Sequence, residues 1–529
     1  MTIRTTLALL LAAPLSTALA QTVPPPTPVE FYRANIGHTG VTTENLTAPL
    51  SLLWRHTTSQ AKNNPASAVF GDSTVYFVSG GFVYAVKSSD GTVKWQYPSG
   101  AKSSTFFATT PALSGGALYL TDDNGGVYKL DGTTGREVWT RKLDGAIRSA
   151  PIVSGGAVYF GSGNSHCYAL NADTGGIVWD EKTDGAITTS PTITGGLVVF
   201  ASGDNNVYSL SARTGKKAWS LAFDADPSTL PLVFDGTTLY VTAGDTIYGL
   251  DPSNRAQRSK LTLPTNLLQP PTISRDSIYA ITQTNVLYAL TLAGRSRWHV
   301  TLNGAATAPP LLAGNLLLIG TQGGVMSGYE AGSGKLIWQY VMQATATDSQ
   351  PKYAAANVYA APILAGGSLY VVSDDGSLSA FRADASDNIG PQLTQRVPEA
   401  GATVPSQNLS YGTYLVDAGT GIDPATVSLA LDGQLTAKSV YIPAQNAIYS
   451  TPTTPLKEGK HEITVKAADW RGNAITQSWN FTVDDHSGAS DGQPGRNTQG
   501  DPRSLDPRYQ GGGGRNPNAP PPPPPITPF

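Results

Sequence analysis

Proline recurs at Pro111, Pro151, Pro191, Pro231 and Pro271, each forty residues after the last. Tryptophan keeps the same period at Trp139, Trp179 and Trp219, and again at Trp298 and Trp338. Two residue types locked to one period of this length restrict the chain to an array, a solenoid or a propeller.

The content of one unit chooses among them. Residues 150–179 contain four short runs rich in branched and aromatic residues: Ile152-Val153, Val158-Tyr159-Phe160, Cys167-Tyr168-Ala169-Leu170 and Ile177-Val178-Trp179. Gly155-Gly156, Asn164 and Asp173-Thr174-Gly175 separate them, and these residues turn a chain at little steric cost. Four strands in about forty residues make a propeller blade. Strand-opening prolines mark eight units, at Pro65, Pro111, Pro151, Pro191, Pro231, Pro271, Pro310 and Pro362. Proline at the first position of a strand sacrifices no ladder hydrogen bond. A tyrosine recurs inside the units at Tyr84, Tyr128, Tyr168, Tyr208, Tyr248 and Tyr288. A closing tryptophan stands at Trp95, Trp139, Trp179, Trp219, Trp298 and Trp338, whereas the fifth unit carries Ser259 there. The eighth unit has three strands and no closing segment, while Leu50 to Trp54 reads as a strand with none before it. Residues 50–56 are therefore predicted to supply the outer strand of the eighth blade and leave the ring no open edge.

The run Ala169…Thr174-Gly175…Trp179, with its variants Lys129…Thr134-Gly135…Trp139 and Ser209…Thr214-Gly215…Trp219, resembles the docking motif of PQQ-type repeats. That resemblance covers roughly residues 45–385. It implies an eight-bladed propeller in which Trp54, Trp95, Trp139, Trp179, Trp219, Trp298 and Trp338 each pack against a neighbouring blade. It leaves function open, because fold does not fix function. The family holds quinoprotein dehydrogenases as well as the scaffold of the outer-membrane β-barrel assembly machinery.

The rest of the chain divides by composition. Residues 1–20 read as a signal peptide, with Arg4, an apolar Leu7–Leu15 core and Ala18-Leu19-Ala20 as a cleavage site. Residues 21–44 read as a Pro-rich linker. No cysteine follows the signal at the position a lipoprotein needs, and no later segment has the 18 or so apolar residues of a membrane span. Residues 390–485 read as about seven strands of a β-sandwich. The segments Asp417–Asp423 and Ala468–Asn473 resemble bacterial Ig-like modules. Asp417, Asp423 and Asp469 there either cap their own turns, the reading favoured by turn chemistry, or hold calcium at a domain edge. Residues 486–529, with four consecutive glycines and six consecutive prolines, cannot bury enough apolar surface to order themselves and read as a disordered tail.

The candidate chemistry is sparse. A net charge of −3 without a basic stripe argues against nucleic acid. Cys167 is the single cysteine, which forbids the vicinal disulfide that the quinoprotein resemblance implies beside PQQ and calcium. The six histidines fall in separate units without metal-ligand spacing. The pairs Asp122-Asp123 and Asp374-Asp375 recur at one blade turn and read as turn residues. Neither a catalytic residue nor a cofactor is expected. What stands out is where the period fails. The gap from closing Trp to next Pro stretches from Trp95 to Pro111 and again from Trp338 to Pro362. The first holds Tyr97, Lys102, Phe106 and Phe107; the second holds Gln343, Asp348, Gln350, Lys352, Tyr353, Asn357 and Tyr359. Aromatic and adaptable polar residues on loops make a partner-binding rim, or a surface insertion packed on itself. The expectation is an exported, monomeric, non-catalytic scaffold binding a protein partner at the cell envelope, in outer-membrane or surface-layer assembly. A PQQ- or sugar-binding enzyme or carrier using the central channel, and a surface adhesin, are the alternatives.

Overall fold

The computed structural model describes residues 28–58, 66–100, 103, 105–107, 109–344, 355–407, 409–436 and 439–486. The signal segment, Pro65, Lys102, Asp348, Gln350, Lys352, Tyr353 and nearly all of the tail lie outside them.

Eight four-stranded antiparallel sheets follow one another along residues 51–382. The first blade is built from Val69–Gly71, Thr74–Ser79, Phe82–Lys87 and Val93–Tyr97. The middle two strands of that blade are buried along nearly their whole length, as a blade sandwiched between two others requires. The eighth blade has only Ile363–Ala365, Ser368–Val372 and Ser377–Arg382 from its own stretch of chain. Its fourth strand is Ser51–Thr57, antiparallel to the third in a register running from Ser51↔Arg382 to Thr57↔Ser377. The clasp expected at residues 50–56 closes the ring.

The forty-residue period has a concrete origin. Every closing tryptophan except Trp338 donates its indole N–H to a backbone carbonyl in the next blade's last turn. Trp139 reaches Ala172, Trp179 reaches Ala212 and Trp298 reaches Ala331, at 2.9–3.2 Å. The same carbonyl takes a second hydrogen bond from a tyrosine of the tryptophan's own blade: Tyr119 on Ala172, Tyr159 on Ala212, Tyr279 on Ala331. The glycine of each Thr-Gly pair lies flat on the ring. Gly135 has φ +71°, and a Cβ there would come within 2.5 Å of the Trp95 indole. Both the left-handed backbone and the close approach demand glycine. Where the fifth blade has Ser259, Leu261 takes over the position beneath Gly294.

Residues 28–44 depart from the linker expectation. They run along the innermost strands of the ring, which line the central channel of a propeller. Val29 pairs with Phe70, Glu30 accepts from Leu113 N–H, and Ile36 from the Thr192 hydroxyl. Gly37 accepts from Phe234, Thr39 from Ile273 and Gly40 from Leu312. The Glu44 carboxylate then caps the N–H groups of Gly366 and Gly367. This segment thus crosses the channel and hydrogen-bonds seven of the eight blades.

Residues 392–483 form two facing sheets, one of four strands and one of five, around a core of Tyr411, Leu415, Leu429, Ile448, Ile463, Val465, Trp479 and Phe481. This β-sandwich docks on the outer strands of blades seven and eight, at the ring closure. Leu52 N–H donates to Gly419, Trp470 to the Gln339 carbonyl, and Arg471 to Ser51, Ala383 and Ala385.

Candidate functional site

The long inter-blade gaps were expected to form the rim. The structure sorts their residues. Phe107 is fully buried, packed against Tyr97 and Tyr128. Asn357 accepts from Gly323 N–H and donates to Asp374, so it fastens its own segment to blades seven and eight. Gln343 is partly exposed and lines a small cavity against the sandwich. Tyr97 is half-buried, with its hydroxyl on Glu137 at 2.5 Å. Among the described residues of the set, Phe106 and Tyr359 are the exposed aromatics, at 36% and 37%. The gaps therefore do two jobs, partly packing the ring and partly exposing aromatic side chains.

Tyr359 stands at the mouth of an axial cavity of about 480 Å³. Pro231, Pro270 and Pro309 line its wall where inner strands begin, with Gln269 and Thr307 as polar points. Tyr32 of the channel-crossing segment forms part of the lining. Next to it, Arg33 is 1% exposed and donates to the Pro271 carbonyl and the Thr272 hydroxyl. Burial lowers its pKa to about 10, which still leaves a cation at neutral pH. His38 is fully buried, with Nδ1 on the Leu232 carbonyl at 3.3 Å; burial, and then the Arg33 charge, push it down to about 3, so it is neutral.

These donors do not suit the quinone and calcium implied by the dehydrogenase resemblance. The residues lining the axial cavity include no carboxylate. Cys167 is buried in blade three, and burial pushes its thiol up, away from a reactive thiolate. The paired acids are turn residues: Asp122 accepts from Asn124 N–H, Gly126 N–H and the Tyr128 hydroxyl. Asp375 holds Arg55 and Ser377.

The ring closure is the second distinctive place. Trp338 is the closing tryptophan that faces the eighth blade, whose outer strand comes from residues 51–57 and so has no turn joining it to the third strand. Its indole N–H is shared between Leu50 of the clasp at 3.0 Å and Thr420 of the sandwich at 2.9 Å. Gly421 then packs on the Gln339 carbonyl so closely that a Cβ would come within 2.3 Å. A Thr-Gly pair from the sandwich replaces the one the eighth blade lacks. Around this contact lie Asp387, Asp417 and Asp469. Asp417 is pushed up to about 6, chiefly by burial and also by the charges of Asp387 and Asp469. Asp423 stands apart and caps the short 3-10 turn Pro424–Thr426 through Ala425 N–H.

The model of the family described as outer membrane protein assembly factor BamB matches residues 101–229 and 223–421, more than half of the chain. The chain belongs to this family. Among solved structures it is similar to BamB from Moraxella catarrhalis at 16% identity and a TM-score of 0.53, covering 65% of this chain and all of that one. It is also similar to the quinohemoprotein alcohol dehydrogenase of Comamonas testosteroni at 16% identity and a TM-score of 0.56, covering 70% of this chain and 83% of that one. Identities this low speak for the shared propeller alone. A 70-residue stretch is 43% identical to the serine/threonine-protein kinase AfsK of Streptomyces griseus, spanning 13% of this chain and 9% of the kinase. The family match runs from the second blade to the Thr420-Gly421 pair; the clasp strand, the first blade and the rest of the sandwich lie outside it.

Proposed function

We propose that this protein is an exported, non-catalytic scaffold of the cell envelope whose propeller presents an aromatic rim to a protein partner, in outer-membrane or surface-layer assembly. The observation that carries this reading is the segment 28–44 lying across the channel. A propeller enzyme uses its axis for chemistry, and here hydrogen bonds to seven blades, five of them backbone to backbone and two through the Thr192 hydroxyl and the Glu44 carboxylate, hold a segment of the chain there. Binding then falls to the loops around the mouth, where Phe106 and Tyr359 are exposed and aromatic anchors contribute most per residue. The sandwich, read as an Ig-like module, sets the distance and angle of that rim from another surface. Membership of the BamB-type family supports the envelope setting. The likeness to a quinohemoprotein dehydrogenase keeps one competitor in view, a small ligand in the axial cavity.

The test is crosslinking in cells followed by capture of the protein and identification of what is bound. One variant lacks residues 345–354 and carries Tyr359→Ala and Phe106→Ala, leaving Gln343, Asn357 and Phe107 in place. Recovery of one envelope protein in near-stoichiometric amount, lost in this variant while its melting temperature stays within about 2 °C, supports the scaffold. An unchanged capture by the variant, or no partner at any salt together with saturable binding of a small molecule, overturns it.

A further inference from the structure

Three carboxylates converge where the propeller meets the sandwich. Oxygen atoms of Asp387, Asp417 and Asp469 lie within 4.8 Å of one another. Asp387 belongs to the connection between the domains, and the other two to the sandwich. Asp417 is 7% exposed and Asp469 2%. Like charges this close, and largely out of water, repel; backbone N–H groups of Thr420, Gly421 and Asn473 offset this in part, and a cation joining the three would offset it further. The Arg471 guanidinium is turned away, donating to Ser51, Ala383 and Ala385, while its backbone N–H donates to Asp469.

A second, independent feature lies beside them. Gln339, on the outer strand Leu336–Val341 of blade seven, is 3% exposed. Its Nε2 donates to the Ser327 hydroxyl, but its Oε1 has no hydrogen-bond partner. An amide oxygen left bare in a protein interior is costly. Gln339 and Asp417 both line one small cavity between the domains, of about 10 Å³. That is room for a single water or ion and for nothing larger.

The donor chemistry selects the occupant. Three carboxylates and an amide carbonyl are hard oxygen ligands, with no imidazole or thiolate among them. Flexible oxygen sets of this kind suit calcium better than magnesium, which demands a stricter octahedron and keeps its waters. We propose that Asp387, Asp417 and Asp469, together with the side-chain carbonyl of Gln339, bind one calcium ion at the junction of propeller and sandwich. The ion would brace the loop 417–421, which carries the Thr420 carbonyl that receives the Trp338 indole. Calcium would thereby stiffen the angle between the domains. This inference is independent of any partner.

Terbium, a luminescent stand-in for calcium, tests it on the full chain after treatment with chelator. Trp470 adjoins Asp469 and would sensitise terbium emission on excitation of the indole. The expected result is saturable emission that calcium displaces and equimolar magnesium does not. In parallel, calcium at about a hundredfold over its dissociation constant should raise the melting temperature by roughly 3–5 °C over the chelated protein. Asp387→Asn keeps acceptors for the Thr420 groups, so it should fold and melt like the chelated wild type while losing the calcium shift. No sensitised emission and no calcium shift in the wild type would overturn the proposal. So would a full calcium shift retained in Asp387→Asn.

Discussion

A chain ended at Ala385, with the whole propeller intact and the sandwich removed, will melt well below the full-length protein. Most of the closing tryptophans dock on a turn of the next blade, and the last one docks partly on another domain. Trp338 is fully buried, sharing its indole N–H between Leu50 and Thr420. Removing the sandwich strips one acceptor and bares the flank of Trp338 and Tyr340, which is also buried. It also removes the Leu52–Gly419 hydrogen bond that holds the clasp strand. Loss of a large buried aromatic contact costs about 3–5 kcal/mol, equivalent to a fall of roughly 5–10 °C in a domain of this size. Trp338→Ala in the full chain should cost a similar amount, and Trp139→Ala less, because Trp139 is only half-buried. Thermal unfolding followed by circular dichroism checks both. A truncated propeller melting within about 2 °C of the full chain would show that the sandwich is a passenger.

Removal of the clasp should do more. A chain begun after Thr57 leaves blade eight with three strands and exposes the third strand, Ser377–Arg382, as a raw edge. It also takes away Leu50, Leu52 and Trp54, whose indole donates to the Ser88 carbonyl of blade one at 2.9 Å. With about 2 kcal/mol for each large apolar side chain returned to water, and the closure hydrogen bonds besides, the loss approaches the whole stability of an ordinary domain, about 5–15 kcal/mol. The expected outcome is a protein that fails to give a cooperative melt and associates through the open edge. A chain begun at residue 46 keeps the clasp and loses only the channel-crossing segment. It should still form the ring, with an axial cavity open at both ends. Size-exclusion chromatography and near-ultraviolet circular dichroism distinguish these outcomes. A monomeric, cooperatively folding protein without residues 50–57 would refute the clasp as the closing element.

What could be read in the sequence follows from where the specificity resides. The blades announce themselves because docking is done by side chains that geometry makes nearly irreplaceable: an indole, and a glycine lying on it with positive φ. The missing strand of the eighth blade points directly to Leu50–Trp54, since a four-stranded unit tolerates no gap. Tyr119, Tyr159 and Tyr279 keep the same forty-residue phase. Their hydroxyls double the tryptophan bond, a role the period could have suggested. Residues 28–44 gave no such sign. Their hold on the ring is mostly backbone to backbone, a bond that nearly any residue can make, so composition alone read as linker. The junction was hidden for another reason. Thr420 lies 82 residues from Trp338 and looked like part of a self-capped turn. Asp387 fell in the connection between two domains and was weighed in neither, whereas Asp423, weighed with Asp417 and Asp469, caps a turn elsewhere. Of the rim residues, those that the fold needed for packing, Phe107 and Asn357, were indistinguishable by type from those it leaves exposed.

Scanning calorimetry of the full chain tests most directly whether propeller and sandwich close as one body. Sharing of Trp338, Gln339 and the clasp strand between them predicts a single transition whose calorimetric and van't Hoff enthalpies agree. Two separate transitions, with the propeller melting at the same temperature as a chain ended at Ala385, would contradict it.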